Sequence, residues 1–263
     1  MKMPDKELEM ILNDKLHGSS EILNLIHQHF LKYKDDIAYL NKALLRIQKN
    51  LYHFPVIIHF TKDVEDILNG KKRNSLSDYL LEFSKKRNEV YKTIFKKVSK
   101  YLSKHKTVLT ISHSKTLIKI FELWKKSDSN LKVIICESRP NQEGILMAKE
   151  ISKLKIETEI ITEAMSGNKI REVDAVIIGA DQILSNGSIV NKTGSRMLAV
   201  LAKYQKIPVF VLASSDKIVN EKIIKHEIID EDYAAILKGK RLKFRNENFE
   251  EIENKLITKI FTD

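Results

Sequence analysis

From Lys106 onward the chain alternates short β-branched runs with stretches of helical periodicity, and nothing else in the sequence constrains the fold as tightly. Val108-Leu109-Thr110-Ile111, Lys132-Val133-Ile134-Ile135-Cys136, Thr158 to Thr162, Ala175-Val176-Ile177-Ile178 and Val209-Phe210-Val211-Leu212-Ala213 read as strands. Between them, Leu117 to Trp124, Glu143 to Leu154 and Ser195 to Tyr204 read as helices. Most of the runs are continuously apolar rather than alternating, so each strand needs cover on both faces. A parallel sheet sandwiched by helices supplies that cover. Polar residues just beyond such strands gather at the carboxyl edge of the sheet, where open α/β sheets bind ligands.

The residues before Lys106 follow a different grammar. Ile37, Leu40, Leu44, Ile47 and Leu51 recur at steps of three and four, as do Leu76, Tyr79, Leu80 and Phe83, and then Val90, Ile94, Val98 and Leu102. Gly18-Ser19-Ser20 precedes Ile22, Leu25, Ile26 and Phe30 and reads as a helix start. Six of the eight glycines lie from Gly144 onward. The pattern predicts a helical N-terminal domain over 1–104 and a Rossmann-like domain over 105–263, with a ligand pocket at the strand carboxyl ends. A long helix from about Ser77 to Ser103 joins the two.

Composition removes several classes of function. No apolar run approaches the roughly 20 residues of a membrane helix. The N-terminus lacks the apolar stretch of a signal peptide, and a cytoplasmic location is expected. Cys136 is the sole cysteine, which excludes an internal disulfide and a Cys-rich zinc site. The net charge of +11 invites a nucleic-acid reading, but only eight of the 46 basic residues are Arg, and they are interleaved with acids. Direct nucleic-acid binding is therefore not expected. There is no Gly-x-Gly-x-x-Gly, no Gly-Lys-Ser/Thr, no His-Glu-x-x-His and no Gly-x-Ser-x-Gly.

The chemistry lies at the predicted sheet edge. Asp181 directly follows Ile177-Ile178-Gly179-Ala180; there it is either a partly desolvated acid or base, or the cap of a backbone turn. Asn191-Lys192-x-Gly194-Ser195 precedes a helix, so its amides and the Lys192 charge suit a phosphate, although a capped helix with a solvated lysine has the same spelling. Arg139 offers a bidentate fork to a phosphate or forms a surface ion pair. Ser114 and Lys115 open the helix after the first strand, and Lys217 follows the strand Val209 to Ala213. Ser112 and His113 are adjacent residues leaving a strand, so they point apart and make a poor nucleophile–base pair.

The segments Glu137-Ser138-Arg139-Pro140, Gly144, Val173-Asp174, Gly179-Ala180-Asp181-x-Ile183, Asn186-Gly187, Asn191-Lys192-x-Gly194 and Lys217, in this order and spacing, resemble the translation initiation factor 2B alpha/beta/delta family. That family also holds isomerases of methylthioribose 1-phosphate and ribose 1,5-bisphosphate. The resemblance covers the C-terminal half strongly and the helical part loosely. It implies a helical domain, a Rossmann-like domain, a dimer built through the latter and a phosphosugar-type pocket. The isomerases are similar to this chain at Ser114, Lys115, Asp181, Asn191, Lys192 and Lys217. In those enzymes a Cys and an Asp form the acid/base pair; the Asp matches Asp181 and the Cys matches Ser112. An enzyme Arg falls at His17, before Gly18-Ser19, and another at Phe54. The Gly18-Ser19-Ser20 loop resembles the non-catalytic, initiation-factor-like members.

The expected protein is thus a non-catalytic, initiation-factor-2B-like homodimer. It would bind a phosphorylated sugar or nucleotide among Gly18, Ser19, Ser114, Lys115, Arg139, Asp181, Asn191, Lys192 and Lys217, and would act through protein partners, a translation factor among them. The alternative is an aldose–ketose isomerase of sugar phosphates, in which Asp181 works with another group such as His113. A purely structural subunit is the third reading. No cofactor and no metal are expected.

Overall fold

Five helices come first: α1 (Met3–Leu12), α2 (Ser19–Lys32), α3 (Ile37–Asn50), α4 (Pro55–Leu68) and α5 (Leu76–Leu102). The computed structural model describes residues 3–73, 75–127, 130–223 and 247–263. The apolar stripes of α1 to α4 close on one another around Leu8, Ile26, Phe30, Leu40, Ile47, Ile57 and Val64. The sequence reading did not anticipate α4. Its Pro55 stands at the first helical position, where the missing N–H costs nothing.

The second half builds a six-stranded sheet of order β10-β7-β4-β1-β2-β3, parallel throughout. Its strands are β1 (Thr107–Ile111), β2 (Lys132–Cys136), β3 (Glu157–Ile161), β4 (Ala175–Ile178), β7 (Val209–Leu212) and β10 (Lys259–Phe261). The helices α6 (Lys115–Ser127), α7 (Glu143–Lys153), the single turn α8 (Ser166–Lys169) and α9 (Ser195–Tyr204) connect them. Alternate residues divide between two cores. Val108, Val133, Ile135, Ile177 and Leu212 pack with α5, α6 and α7, while Leu109, Ile111, Ile134, Val176, Ile178 and Val211 pack with α9. Such burial on both faces accounts for the continuously apolar runs.

The long helix α5 ties the halves together. Leu76 and Leu80 belong to the helical core, and Ile94, Val98 and Leu102 to the sheet core. A second small sheet, of order β8-β5-β6-β9, crosses the carboxyl side of the first. It contains β5 (Gln182–Leu184), β6 (Ile189–Lys192), β8 (Ile218–Val219) and β9 (Phe249–Ile252). The turn between β5 and β6 carries Gly187 at φ +81°. Asn191 and Lys192 lie on β6, paired with Glu250 and Phe249, and just ahead of α9, which begins at Ser195 as the spacing predicts.

Candidate functional site

Strand β1 is followed in space by β2 on one side and β4 on the other, so the connection reverses between β1 and β4. A crevice opens beyond the carboxyl ends of strands at such a reversal. Here it is a cavity of about 250 Å³. The sheet side supplies Ser112 to Lys115 after β1, Gly179 to Asp181 after β4, Asn191 and Lys192 from β6, Lys217 and Glu143. The helical domain roofs it with the loop from Asp14 to Ser20 and with His53 and Phe54.

Gly18 stands where the roof meets the sheet. A Cβ there would lie 2.5 Å from the His113 carbonyl oxygen, so only glycine allows this approach. The next residue crosses the cavity: Ser19 Oγ donates to Asp181 Oδ1 at 2.6 Å. Asp181 is held from behind as well, its amide donating to the Val190 carbonyl at 2.8 Å.

A buried charge pair forms one wall. Lys192 Nζ lies 2.8 Å from Glu143 Oε1, with the two side chains 4 % and 6 % exposed. Ser112 Oγ donates to the same oxygen at 3.3 Å, while Glu143 Oε2 is enclosed without a hydrogen-bond partner among the described residues. Burial pushes the Glu143 carboxyl above the usual range, and Lys192 pulls it back in part. Lys217 is also enclosed, donating to the Ala180 carbonyl at 2.7 Å. Burial drives its ammonium toward the neutral form, opposed by Asp181 and Asp216. Lys115 forms an ion pair with Glu21 at 3.0 Å, and the Ser114 hydroxyl accepts the Leu117 amide at the start of α6.

Of the sequence-predicted residues, Gly18, Ser19, Ser112, His113, Ser114, Lys115, Asp181, Asn191, Lys192 and Lys217 line this one cavity. Arg139 does not. It is exposed beyond β2, where its amide and that of Ser138 donate to Glu163 Oε1. Cys136 is buried inside β2, and burial pushes its thiol up to about 11, so it is no surrogate acid. The sequence reading missed Glu143 as a cavity group. Its signal was available: a carboxylate at the first position of a helix facing a strand end. It also missed Asp14 in the roof loop, and had His17 there only as the place where the resemblance puts an enzyme Arg. Ser112 and His113 do diverge, His113 turning to Glu150 at 3.0 Å. His17 and His113, which line the cavity, and Glu150, which His113 meets, form a group that could hold a metal.

This combination of fold and site has relatives. The sequence model of the Initiation factor 2 subunit family matches residues 46–263, and the chain belongs to that family. It is 28 % identical over 270 residues to a translation initiation factor eIF-2B subunit 2-like protein of Pyrococcus furiosus, covering 98 % of this chain and 94 % of that one. It is 27 % identical over 271 residues to the ribose 1,5-bisphosphate isomerase of Methanocaldococcus jannaschii, covering 97 % and 88 %. The crystal structure of a Pyrococcus horikoshii translation initiation factor eIF-2B superposes with a TM-score of 0.78 at 22 % identity, covering 99 % and 95 %, and shares the fold.

Proposed function

We propose, from membership of the initiation factor 2 subunit family, that this chain binds a phosphorylated sugar or nucleotide in the cavity between β1 and β4 without turning it over. It then acts through protein partners, as a homodimer in the cytoplasm, with a translation factor as the class of partner. The observation that carries this reading is Ser112. It stands where the resemblance puts the isomerases' thiol, and its hydroxyl is spent on Glu143. A thiol with a pKa near about 8.5 exchanges protons at neutral pH, whereas an unaided serine hydroxyl does not. The cations that would hold an anion are kept: Lys115, Lys192 and Lys217 all line the cavity. Docking of a second copy is supported by α9, whose Met197, Val200 and Tyr204 form an exposed apolar stripe at helical spacing.

A thermal-shift series tests the ligand. The panel is ribose 1,5-bisphosphate, methylthioribose 1-phosphate, other sugar phosphates, AMP and GDP. At 100 times its dissociation constant a ligand adds about 2.7 kcal/mol of stability. A shift with one of these compounds that Lys192→Ala abolishes is expected; no shift with any of them would overturn the reading.

A second reading has its own observation. Asp181 and Glu143 both reach the cavity beside Ser112, and burial raises the Glu143 carboxyl above its usual range, the direction in which a general acid is tuned. In that case the chain is an aldose–ketose isomerase of sugar phosphates. Turnover of an aldose phosphate, abolished by Asp181→Asn, would establish it in place of the first reading.

A further inference from the structure

We propose that His17, His113 and Glu150 form a divalent metal site, of a kind that takes zinc, which clamps the roof loop of the helical domain onto the sheet domain. His17 and His113 also line the ligand cavity, but the site uses none of the lysines that would hold an anion there.

One nitrogen or carboxylate oxygen from each of the three residues lies within 4.8 Å of those of the other two. Bonds of about 2.0–2.2 Å to a tetrahedral zinc hold ligand atoms roughly 3.3–3.5 Å apart. His113 and Glu150 already approach to 3.0 Å, so rotation of the half-buried His17 and Glu150 side chains would complete the set. The two imidazole rings meet edge to face, with centroids 5.0 Å apart, as two rings that direct nitrogens at a common point can.

The surroundings suit a cation. His113 is 2 % exposed, and its Nε2, the nitrogen that faces Glu150, is the one that would ligate, while its Nδ1 finds no hydrogen-bond partner among the described residues. The Nδ1 of His17 is engaged by Asp14 Oδ2 at 2.6 Å, which leaves Nε2 to face a metal. A carboxylate behind a ligating imidazole is the usual second support of a zinc site. Asp14 is itself fixed by the amides of Leu16 and His17. With Glu150 and Asp14 the site holds two carboxylates against a double positive charge. Nitrogen donors without any thiolate favour zinc, cobalt(II) or nickel(II) over magnesium or calcium. Three protein ligands leave a fourth position for water.

The ligands come from three places: the loop after α1, the β1–α6 turn and α7. His17 directly precedes Gly18 and Ser19, so a bound ion would fix the loop whose Ser19 meets Asp181.

The test uses the full chain, stripped with chelator and titrated with Co²⁺. Expected is one ion per chain, with the visible d–d bands of a four-coordinate site, displaced by one equivalent of Zn²⁺. His17→Ala and Glu150→Gln should each weaken binding by at least about tenfold and abolish the bands. His113→Ala risks misfolding, so the two partly exposed positions carry the test, with far-UV circular dichroism of the apo forms as the folding check. His59→Ala, at an exposed histidine, should bind like the wild type. Zinc should also raise the melting temperature of the wild type and not of His17→Ala. Absence of binding, binding that survives both His17→Ala and Glu150→Gln, or equal loss in His59→Ala would overturn the proposal.

Discussion

Lys192 Nζ stands 2.8 Å from the Glu143 carboxylate inside the cavity wall, and almost no water reaches either side chain. Two charges taken out of water cost several kcal/mol each, and their attraction roughly offsets that cost only while both are present. Lys192→Ala leaves Glu143 uncompensated and should destabilise the fold by about 3–5 kcal/mol. Lys192→Met combined with Glu143→Leu removes both charges at similar volume and should recover most of that loss. Urea unfolding of the two single variants and the pair measures the coupling. A double variant as unstable as Lys192→Ala alone would show that the pair is not acting as a unit. The same pair bears on ligand binding, because an incoming phosphate must share Lys192 with Glu143.

Gly18→Ala should matter for a different reason. The added methyl group meets a backbone carbonyl, that of His113, at 2.5 Å, and a backbone cannot swing aside as a side chain can. The loop must lift, which costs about 1–3 kcal/mol and pulls Ser19 away from Asp181. Ser19→Ala, by contrast, removes only one hydrogen bond and should cost about 1 kcal/mol. Thermal unfolding of the two variants distinguishes them. Equal small losses would mean that the loop is not pinned against the sheet.

The sheet was legible because its strands are doubly covered. Val133-Ile134-Ile135 and Val176-Ile177-Ile178 leave no polar face, and that pattern has few other solutions. The long joining helix was legible from the spacing of Leu76 and Leu80, then Ile94, Val98 and Leu102. The small sheet was not. β6 takes its partner from Phe249–Ile252, more than fifty residues away, and β8 has two residues, too few for a period to show. β10 is only three residues long and begins on a lysine. Among site residues, those after strands were found because sheet topology brings strand ends together whatever the intervening sequence. Glu143 reaches the same cavity from a helix start, where a carboxylate facing a strand end was its sign, and His17 comes from a loop of the helical part, which the resemblance pointed to and the spacing of a single chain does not. Arg139 was expected from its place after a strand and from the family segment Glu137-Ser138-Arg139-Pro140; it leaves β2, one strand away from the β1–β4 reversal.

The face of α9 makes a prediction about assembly. Met197, Val200 and Tyr204 are 37 %, 42 % and 81 % exposed on one side of a helix whose other side, Leu198, Ala199 and Ala202, is buried. If a second copy covers this stripe, Val200→Asp with Tyr204→Asp puts two charges into an apolar interface and should yield monomers at concentrations where the wild type is dimeric. Sedimentation equilibrium reads the result. A wild-type monomer, or a dimer untouched by the double change, would remove α9 from the interface.

Acid should weaken the protein before most of its carboxylates titrate. His27, His29 and His113 all have pKa values lowered chiefly by burial, with Leu80, Glu7 and Glu150 as their opposing partners. Above about pH 6.5 these rings are neutral in both folded and unfolded chains and contribute no slope. As pH falls through that value, the unfolded chain takes up protons that the folded chain refuses, so stability is lost toward the lower folded pKa values. Each ring can contribute up to about 1.4 kcal/mol per pH unit in that window. Glu143 works the other way, because its folded pKa is raised, and the folded chain gains by taking its proton first. Three groups against one set the sign. Stability measured by urea unfolding should therefore fall by about 2–4 kcal/mol between pH 7 and pH 5. It should fall more steeply in Glu143→Gln, which lacks the opposing carboxyl. A flat or rising profile would show that the buried rings do not set the acid limit of stability.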